Sequence, residues 1–264
     1  MCISMTLKDD RKQKILETLQ DDRQVTVARL SDRFGVSEVT IRRDLGELEE
    51  EGFLRRVHGG AVAVDRIPPE PPVIQRMRHR QASKEAIGEA AAELVADGDA
   101  IFLGSGSTVA YVARHLVNRK NLTVITNALT VANELALAED ITVVMTGGVM
   151  RQAELSLIGH IVESSLEDLR VDKVIIGMRA ISVTEGMTHD YLPEVVTDRA
   201  IIQMADRLIV VADHSKFERV APAFIAPVSR ITSLVTDSEI DPDTLEALET
   251  AGVRTFVATP KEET

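Results

Sequence analysis

The sequence predicts an α/β protein: an N-terminal winged helix-turn-helix followed by a doubly wound, mainly parallel α/β domain. Three observations carry that expectation. Helical patterns and a basic hairpin crowd residues 1–64. Four prolines fall within 65–72, a stretch that cannot continue a helix and favours an extended connector. Beyond it, continuous apolar runs alternate with helical patterns, as buried parallel strands do. The expected boundaries are 1–64 for the small domain, 65–75 for the linker, 76–258 for the larger domain and 259–264 for a frayed tail.

Ile15, Leu16 and Leu19 give 11–19 a helical spacing, and Asp21-Asp22-Arg23 marks a break. Residues 27–34 read as a second helix, with Thr26 as its N-cap and Gly35 suited to a left-handed turn. Ser37 is placed to cap a third helix, whose Ile41, Leu45 and Leu48 recur at i, i+4 and i+7 before an end near Gly52. Residues 54–57 and 61–64, joined by His58-Gly59-Gly60, form a small β-hairpin.

In the larger domain, strands are expected at 100–103, 122–126, 141–146, 173–177, 208–211, 231–236 and 254–258. Val109, Val112, Ala113 and Leu116 fit one intervening helix, and Ala128, Val131, Ala132 and Leu135 fit another. The stretch after Ile181, with Glu185, His189, Asp190 and Glu194, reads as a loop.

Composition narrows the function. Cys2 is the one cysteine, which excludes a disulfide framework, and the six histidines are scattered, so neither metal nor cofactor is expected. No apolar run is long enough to span a membrane, and the expected location is the cytoplasm. The net charge of −12 taken alone argues against nucleic acid. Its distribution does not. Residues 1–80 hold 15 Lys and Arg against 14 Asp and Glu, whereas 81–264 hold 15 against 28. The small domain is free to present a basic face.

That face falls on the third helix. In a helix-turn-helix the N-terminal half of this helix enters the major groove, where arginine forks reach guanine or phosphate and hydroxyls reach either. Arg42 and Arg43 alone would fit a solvated amphipathic helix. The turn glycine, the serine cap and the basic hairpin together favour DNA. The candidate contacts are Thr26, Ser37, Glu38, Thr40, Arg42, Arg43, Arg55, Arg56 and His58. Here the chain resembles the DeoR-type bacterial regulators of sugar metabolism, from Arg11-Lys12-Gln13-Lys14-Ile15-Leu16 through Val36-Ser37-Glu38-Val39-Thr40-Ile41-Arg42-Arg43-Asp44-Leu45 to Arg56-Val57-His58-Gly59-Gly60-Ala61. The resemblance implies a repressor, less often an activator, of a sugar-metabolism operon, with double-stranded operator DNA as partner.

A second constellation lies in the larger domain. Gly104-Ser105-Gly106-Ser107-Thr108 runs from a strand into a helix, where glycines admit a ligand and helix amides attract an anion. Thr126-Asn127 and Thr146-Gly147-Gly148 sit at the next two strand ends, the usual edge of a ligand crevice. Arg179 and Lys216 are candidate phosphate cations, and Asp190 or Glu194 candidate hydroxyl readers. Residues 76–258 resemble the DeoR-type sensor domain, itself similar to ribose-5-phosphate isomerases, which implies a phosphorylated sugar as effector. Many members place Asp where this chain has Gly104. The isomerases carry an acidic cluster after a central strand; here Val174-Ile175-Ile176 is followed by Gly177-Met178-Arg179-Ala180. Proton abstraction beside a carbonyl needs a base, and none stands there. A regulator is therefore expected, against two rivals: an isomerase-like enzyme with a DNA-binding appendage, and a ligand-independent scaffold. A symmetric homo-oligomer is expected because specific operators offer two half-sites.

Overall fold

The structure, a computed structural model, describes residues 7–22, 24–50, 54–62 and 70–261. The chain divides into two units between Glu70 and Pro71. Ala63 and Val64 of the expected hairpin, Gly52, and most of the proline stretch lie outside the described residues.

The first unit runs α1 (Leu7–Asp22), β1 (Gln24–Thr26), α2 (Val27–Phe34), α3 (Glu38–Glu50), β2 (Arg55–Val57) and β3 (Gly60–Val62). Its core joins Ile15, Leu16 and Leu19 of α1 to Leu30, Ile41, Leu45 and Leu48, closed by Leu54 and Ala61. Helix α1 continues through Asp21 and Asp22, where a break was expected; Asp22 there takes an ion pair from Arg29 at 2.7 Å. Both expected caps form: Thr26 Oγ1 accepts from Arg29 N at 3.3 Å and Ser37 Oγ from Thr40 N at 3.2 Å. Gly35 adopts the left-handed turn, at φ 62°. The hairpin gains a strand not expected from the sequence. Strand β1 pairs antiparallel with β3, giving the order β1-β3-β2. Gly60 permits it, because a Cβ there would lie 1.9 Å from Val25 O.

The second unit contains α4 (Val73–Arg76), α5 (Gln81–Ala92), β4 (Ala100–Leu103), α6 (Ser107–Leu116), β5 (Leu122–Thr126), α7 (Leu129–Leu135), β6 (Ile141–Met145), β7 (Val149–Arg151) and β8 (Ser156–Ile158). It continues with α8 (His160–Glu167), β9 (Lys173–Gly177), β10 (Ala180–Ser182), β11 (Gly186–His189), α9 (Leu192–Ile202), β12 (Leu208–Val211), β13 (Ala223–Ala226), β14 (Ser233–Asp237), α10 (Pro242–Thr250) and β15 (Arg254–Ala258). Helix α4 occupies part of the stretch expected as linker, with Val73 fully buried. Lys261, in the expected tail, reaches Glu89 at 2.7 Å.

Seven strands form one parallel sheet in the order β15-β14-β12-β9-β4-β5-β6. These are the seven expected apolar runs, with three ends shifted by one or two residues. Alternate side chains enter different cores, so both faces are covered. Ile101, Leu103, Ile175 and Val211 pack with α5, α6 and α7. Phe102, Val174, Ile176 and Val210 pack with α8, α9, α10 and a small antiparallel sheet, β10-β11-β13. That small sheet and α9 replace the loop expected after Ile181. Its strands are three or four residues long, too short for a period to show. Chain order reverses between β4 and β9, so the switch point of the sheet lies there. Among the described residues, no helix is long and apolar enough to cross a membrane.

Candidate DNA-binding face and anion crevice

Helix α3 buries Ile41, Leu45 and Leu48 and turns the opposite stripe outward. Glu38, Arg42 and Arg43 are exposed, as is Val39, which the candidate set omits. Asp44 is buried and bound by Arg11, whose Nε donates to Oδ2 at 2.6 Å and Nη2 to Oδ1 at 3.3 Å. This pair ties α3 to α1 and sets the orientation of the outer stripe. Arg42 Nη2 lies 2.7 Å from Glu38 Oε2, and Arg43 Nε 3.6 Å from Glu47 Oε1. Ser37 and Thr40 share a hydroxyl bond at 2.9 Å, so their oxygens serve the cap. Arg55, Arg56 and His58 are exposed on the hairpin, and Arg56 N donates to Glu49 Oε1 at 2.8 Å. Thr26 is engaged as the α2 cap.

The carboxyl ends of β4, β5, β9 and β12 assemble the second constellation. Gly104 lies against β9, where a Cβ would meet Ile176 Cγ2 at 2.8 Å. Gly106 stands at φ 117° as the N-cap of α6, and no side chain caps that helix. Ser107 and Thr108 are buried in its first turn. A Cβ on Gly177, at the end of β9, would sit 3.6 Å from Ser105 O and 3.8 Å from Val211 O. The 104–108 loop and the end of β12 therefore flank one small residue at the switch point.

Around this point the fold brings together charges that the sequence keeps apart. Glu194, 2% exposed, accepts from Ser105 Oγ at 3.4 Å and Ser156 Oγ at 3.3 Å, and pairs with Arg151. His189 Nδ1 accepts from Tyr191 N at 2.9 Å and lies 3.3 Å from Asp190 Oδ1, while Nε2 lies 3.4 Å from Glu194 Oε2. Arg179, buried, donates from Nε to Asp190 Oδ2 at 3.1 Å. Burial works to raise the Asp190 carboxyl, but His189 and Arg179 outweigh it and bring it down to about 2. Arg151 also stacks 4.3 Å over the Tyr191 ring.

On the β12 side, Asp213 caps the turn holding Lys216 and accepts from Ser215 N at 3.1 Å. Lys84, buried on α5, donates to the Arg76 carbonyl at 3.0 Å and to the His79 carbonyl. Burial pulls the Lys84 ammonium down to about 8, and the positive charges of Lys216, Arg76 and Arg80 act the same way against the pull of Asp213. Burial opposes the ionised Asp213, yet Lys84, Lys216 and Arg80 hold it below the usual carboxylate range.

The remaining candidates take local roles. Thr126 Oγ1 accepts from Ala128 N at 3.0 Å. Asn127 Nδ2 donates to Leu157 O at 3.0 Å, while its buried Oδ1 has no protein donor among the described residues. Gly147 and Gly148 lie against Ile161, Ile158 and Val162, allowing the β7–β8 hairpin and α8 to approach. Sequence reasoning omitted Lys84 and Arg151. Neither stands out in the sequence, since Lys84 lies among Gln81, Ser83 and Glu85 on α5 and Arg151 on the short strand β7. Among the described residues, no three His, Cys, Asp or Glu are placed to hold a metal ion. A separate cavity of about 310 Å³, bounded by Arg199, Ile225, Pro227 and Arg230, lies near the opposite, amino ends of β12 and β14.

Two family models match the chain: a DeoR-like helix-turn-helix domain over residues 11–66 and a DeoR C terminal sensor domain over 79–238. Similar curated proteins include the transcriptional repressor AccR of Agrobacterium fabrum, 37% identical across 87% of this chain and 89% of its own. A putative aga operon transcriptional repressor of Escherichia coli is 35% identical across 96% and 95%. The glycerol-3-phosphate regulon repressor of Escherichia coli is 34% identical across 86% and 90%. Among solved structures, ribose 5 phosphate isomerase A from Neisseria gonorrhoeae matches 51% of this chain and 52% of its own, with TM-score 0.38 and 17% identity. Translation initiation factor eIF-2B from Pyrococcus horikoshii matches 86% and 87%, with TM-score 0.45 and 13% identity.

Proposed function

Because the chain belongs to the DeoR family of helix-turn-helix transcriptional regulators, we propose that it represses a sugar-metabolism operon and is released by a phosphorylated sugar bound at the switch-point crevice. It is a DNA-binding transcriptional repressor and not an enzyme. The operator is read by α3 through Arg42 and Arg43, with Arg55, Arg56 and His58 of the hairpin supplying phosphate contacts. Two protomers present two such helices to a two-fold operator, so the working form is a homo-oligomer.

One observation carries the effector reading. At the switch point the ten-residue helix α6 begins without a side-chain cap, and a Cβ on Gly177 would sit 3.6 Å from Ser105 O in the loop that leads into it. The first amides of a helix have no partner inside it, and a phosphate satisfies them. Lys216 and Lys84, on the β12 side, supply positive charge, and Asp190 and Glu194 supply acceptors for sugar hydroxyls. The relative named for a glycerol-3-phosphate regulon fits a phosphorylated effector.

The test is operator affinity with and without each of a panel of phosphorylated sugars, for wild type and Ser107→Asp. Coupling between two sites is typically ~1–3 kcal/mol, so the cognate sugar phosphate should shift wild-type affinity roughly 5- to 150-fold. Ser107→Asp sets a carboxylate at the amino end of α6 and should abolish the shift. A variant that responds with wild-type amplitude and midpoint would remove this loop from the effector site.

A further inference from the structure

Val39 is largely uncovered. It sits on the first turn of α3 with 73% of its surface exposed, while Ile41, Leu45 and Leu48 on the other side of the helix are buried. Its chain neighbours Glu38 and Thr40, and Arg42 and Arg43 one turn on, are polar or charged. Ser37 and Thr40 are engaged with each other and with the cap, and Glu38 is engaged by Arg42. Arg42 and Arg43 stand at i+3 and i+4 from Val39, so the three share one outward stripe. A valine gains nothing there for the free protein: its β-branch disfavours the helix slightly, and its methyl groups stay in water.

Apolar surface on a groove-reading helix has one natural complement. Of the groups displayed in the major groove, the thymine C5-methyl is apolar and the rest are hydrogen-bond donors or acceptors. We propose that Val39 reads a thymine methyl in each operator half-site, next to the bases or phosphates reached by Arg42 and Arg43. The inference rests on the reading of α3 as the recognition helix and adds a base preference to it. Arginine selects guanine or holds phosphate, and Val39 selects thymine over cytosine beside it. Desolvation of both apolar groups supplies the selectivity.

The experiment uses the full chain and duplexes it selects from a randomised library. Each thymine of a selected duplex is replaced in turn by deoxyuridine, which removes the methyl and keeps every hydrogen-bonding edge. At fixed salt, one replacement per half-site should weaken wild-type binding about fourfold, the equivalent of ~0.8 kcal/mol for one buried methyl-sized group. Val39→Ala removes the contact in both half-sites at once, so it should weaken binding to the thymine duplex by about the product of the two single replacements, roughly sixteenfold, and be indifferent to either replacement. Alanine is the better helix former, so folding is preserved and is checked by circular dichroism. Arg42→Ala and Arg43→Ala, measured alongside, report on the recognition helix itself. If those two lose affinity while every deoxyuridine duplex binds wild type unchanged, the thymine assignment falls and the recognition helix stands. The assignment also falls if Val39→Ala keeps wild-type sensitivity to the replacement. If neither arginine variant loses affinity, or no duplex is enriched, the recognition-helix reading falls and the thymine assignment with it.

Discussion

A buried carboxylate holds its place only through its partner, and Asp44 has one strong partner in Arg11. Arg11→Ala would leave that charge unpaired in the core between α1 and α3. The first unit should lose ~3 kcal/mol, read as a lowered denaturant midpoint, and operator affinity should fall with it. The outward arginines differ in kind. Arg42 and Arg43 form exposed pairs, worth little to stability. Arg42→Ala and Arg43→Ala should therefore each cost ~1–3 kcal/mol in operator binding while leaving the melting temperature nearly unchanged. In the second unit, the hydrogen bond to Asp237 raises the His214 imidazole above its usual 6.5 against the effect of burial. A group raised in the folded state contributes stability that is fully present below 6.5 and is lost as pH climbs through the raised value. Wild type should thus be more stable near about pH 6 than about pH 8 on this account, and Asp237→Asn should flatten that slope. A mutant slope equal to wild type in paired thermal melts would remove His214 from the pH response.

At the scale of elements, two glycines make opposite predictions. Gly46 lies inside α3, and a Cβ there would make an ordinary 3.6 Å contact with Arg56 Nη1. Gly46→Ala should raise the stability of the first unit by up to ~1 kcal/mol. Gly60 is crossed by the backbone of β1, and the same added atom would clash with Val25 O. Gly60→Ala should destabilise by ~1–3 kcal/mol and loosen the β1–β3 pairing, seen as lost hydrogen-exchange protection there. Neither effect is visible in composition. The caps at Thr26 and Ser37 were legible because cap and capped amide lie three residues apart. Strand β1 was not, since its partner β3 is more than thirty residues away and three residues show no alternation. The segment after Ile181 failed for the same reason: β10, β11 and β13 are each too short to announce themselves, and only their mutual pairing makes them strands.

For the whole molecule, the three hydrophobic cores respect the boundary near Glu70. One draws only on residues up to Ala61 and the other two only on residues from Ile87 onward. Residues 71–264 made alone should fold and unfold in a cooperative transition of their own, with a melting temperature within a few degrees of the same unit in the full chain; a fragment with no cooperative melt would refute this. Seven apolar runs, the spacing of Ile41, Leu45 and Leu48, and the run from Ser37 to Leu45 by themselves determined the fold class and the amphipathic third helix of a helix-turn-helix domain. Each of those signals is complete within ten residues or so, because helix periodicity, capping and strand burial are local properties of a chain. The crevice is another matter. Glu194 meets Arg151 across 43 residues and Ser105 across 89, and Lys84 shares its field with Asp213. Only the packing of the sheet and its helices places these charges together, and at that closeness Lys84 and Asp213 shift each other's ionisation. Tertiary structure decided the site because an electrostatic network depends on separation in space, which sequence spacing does not record.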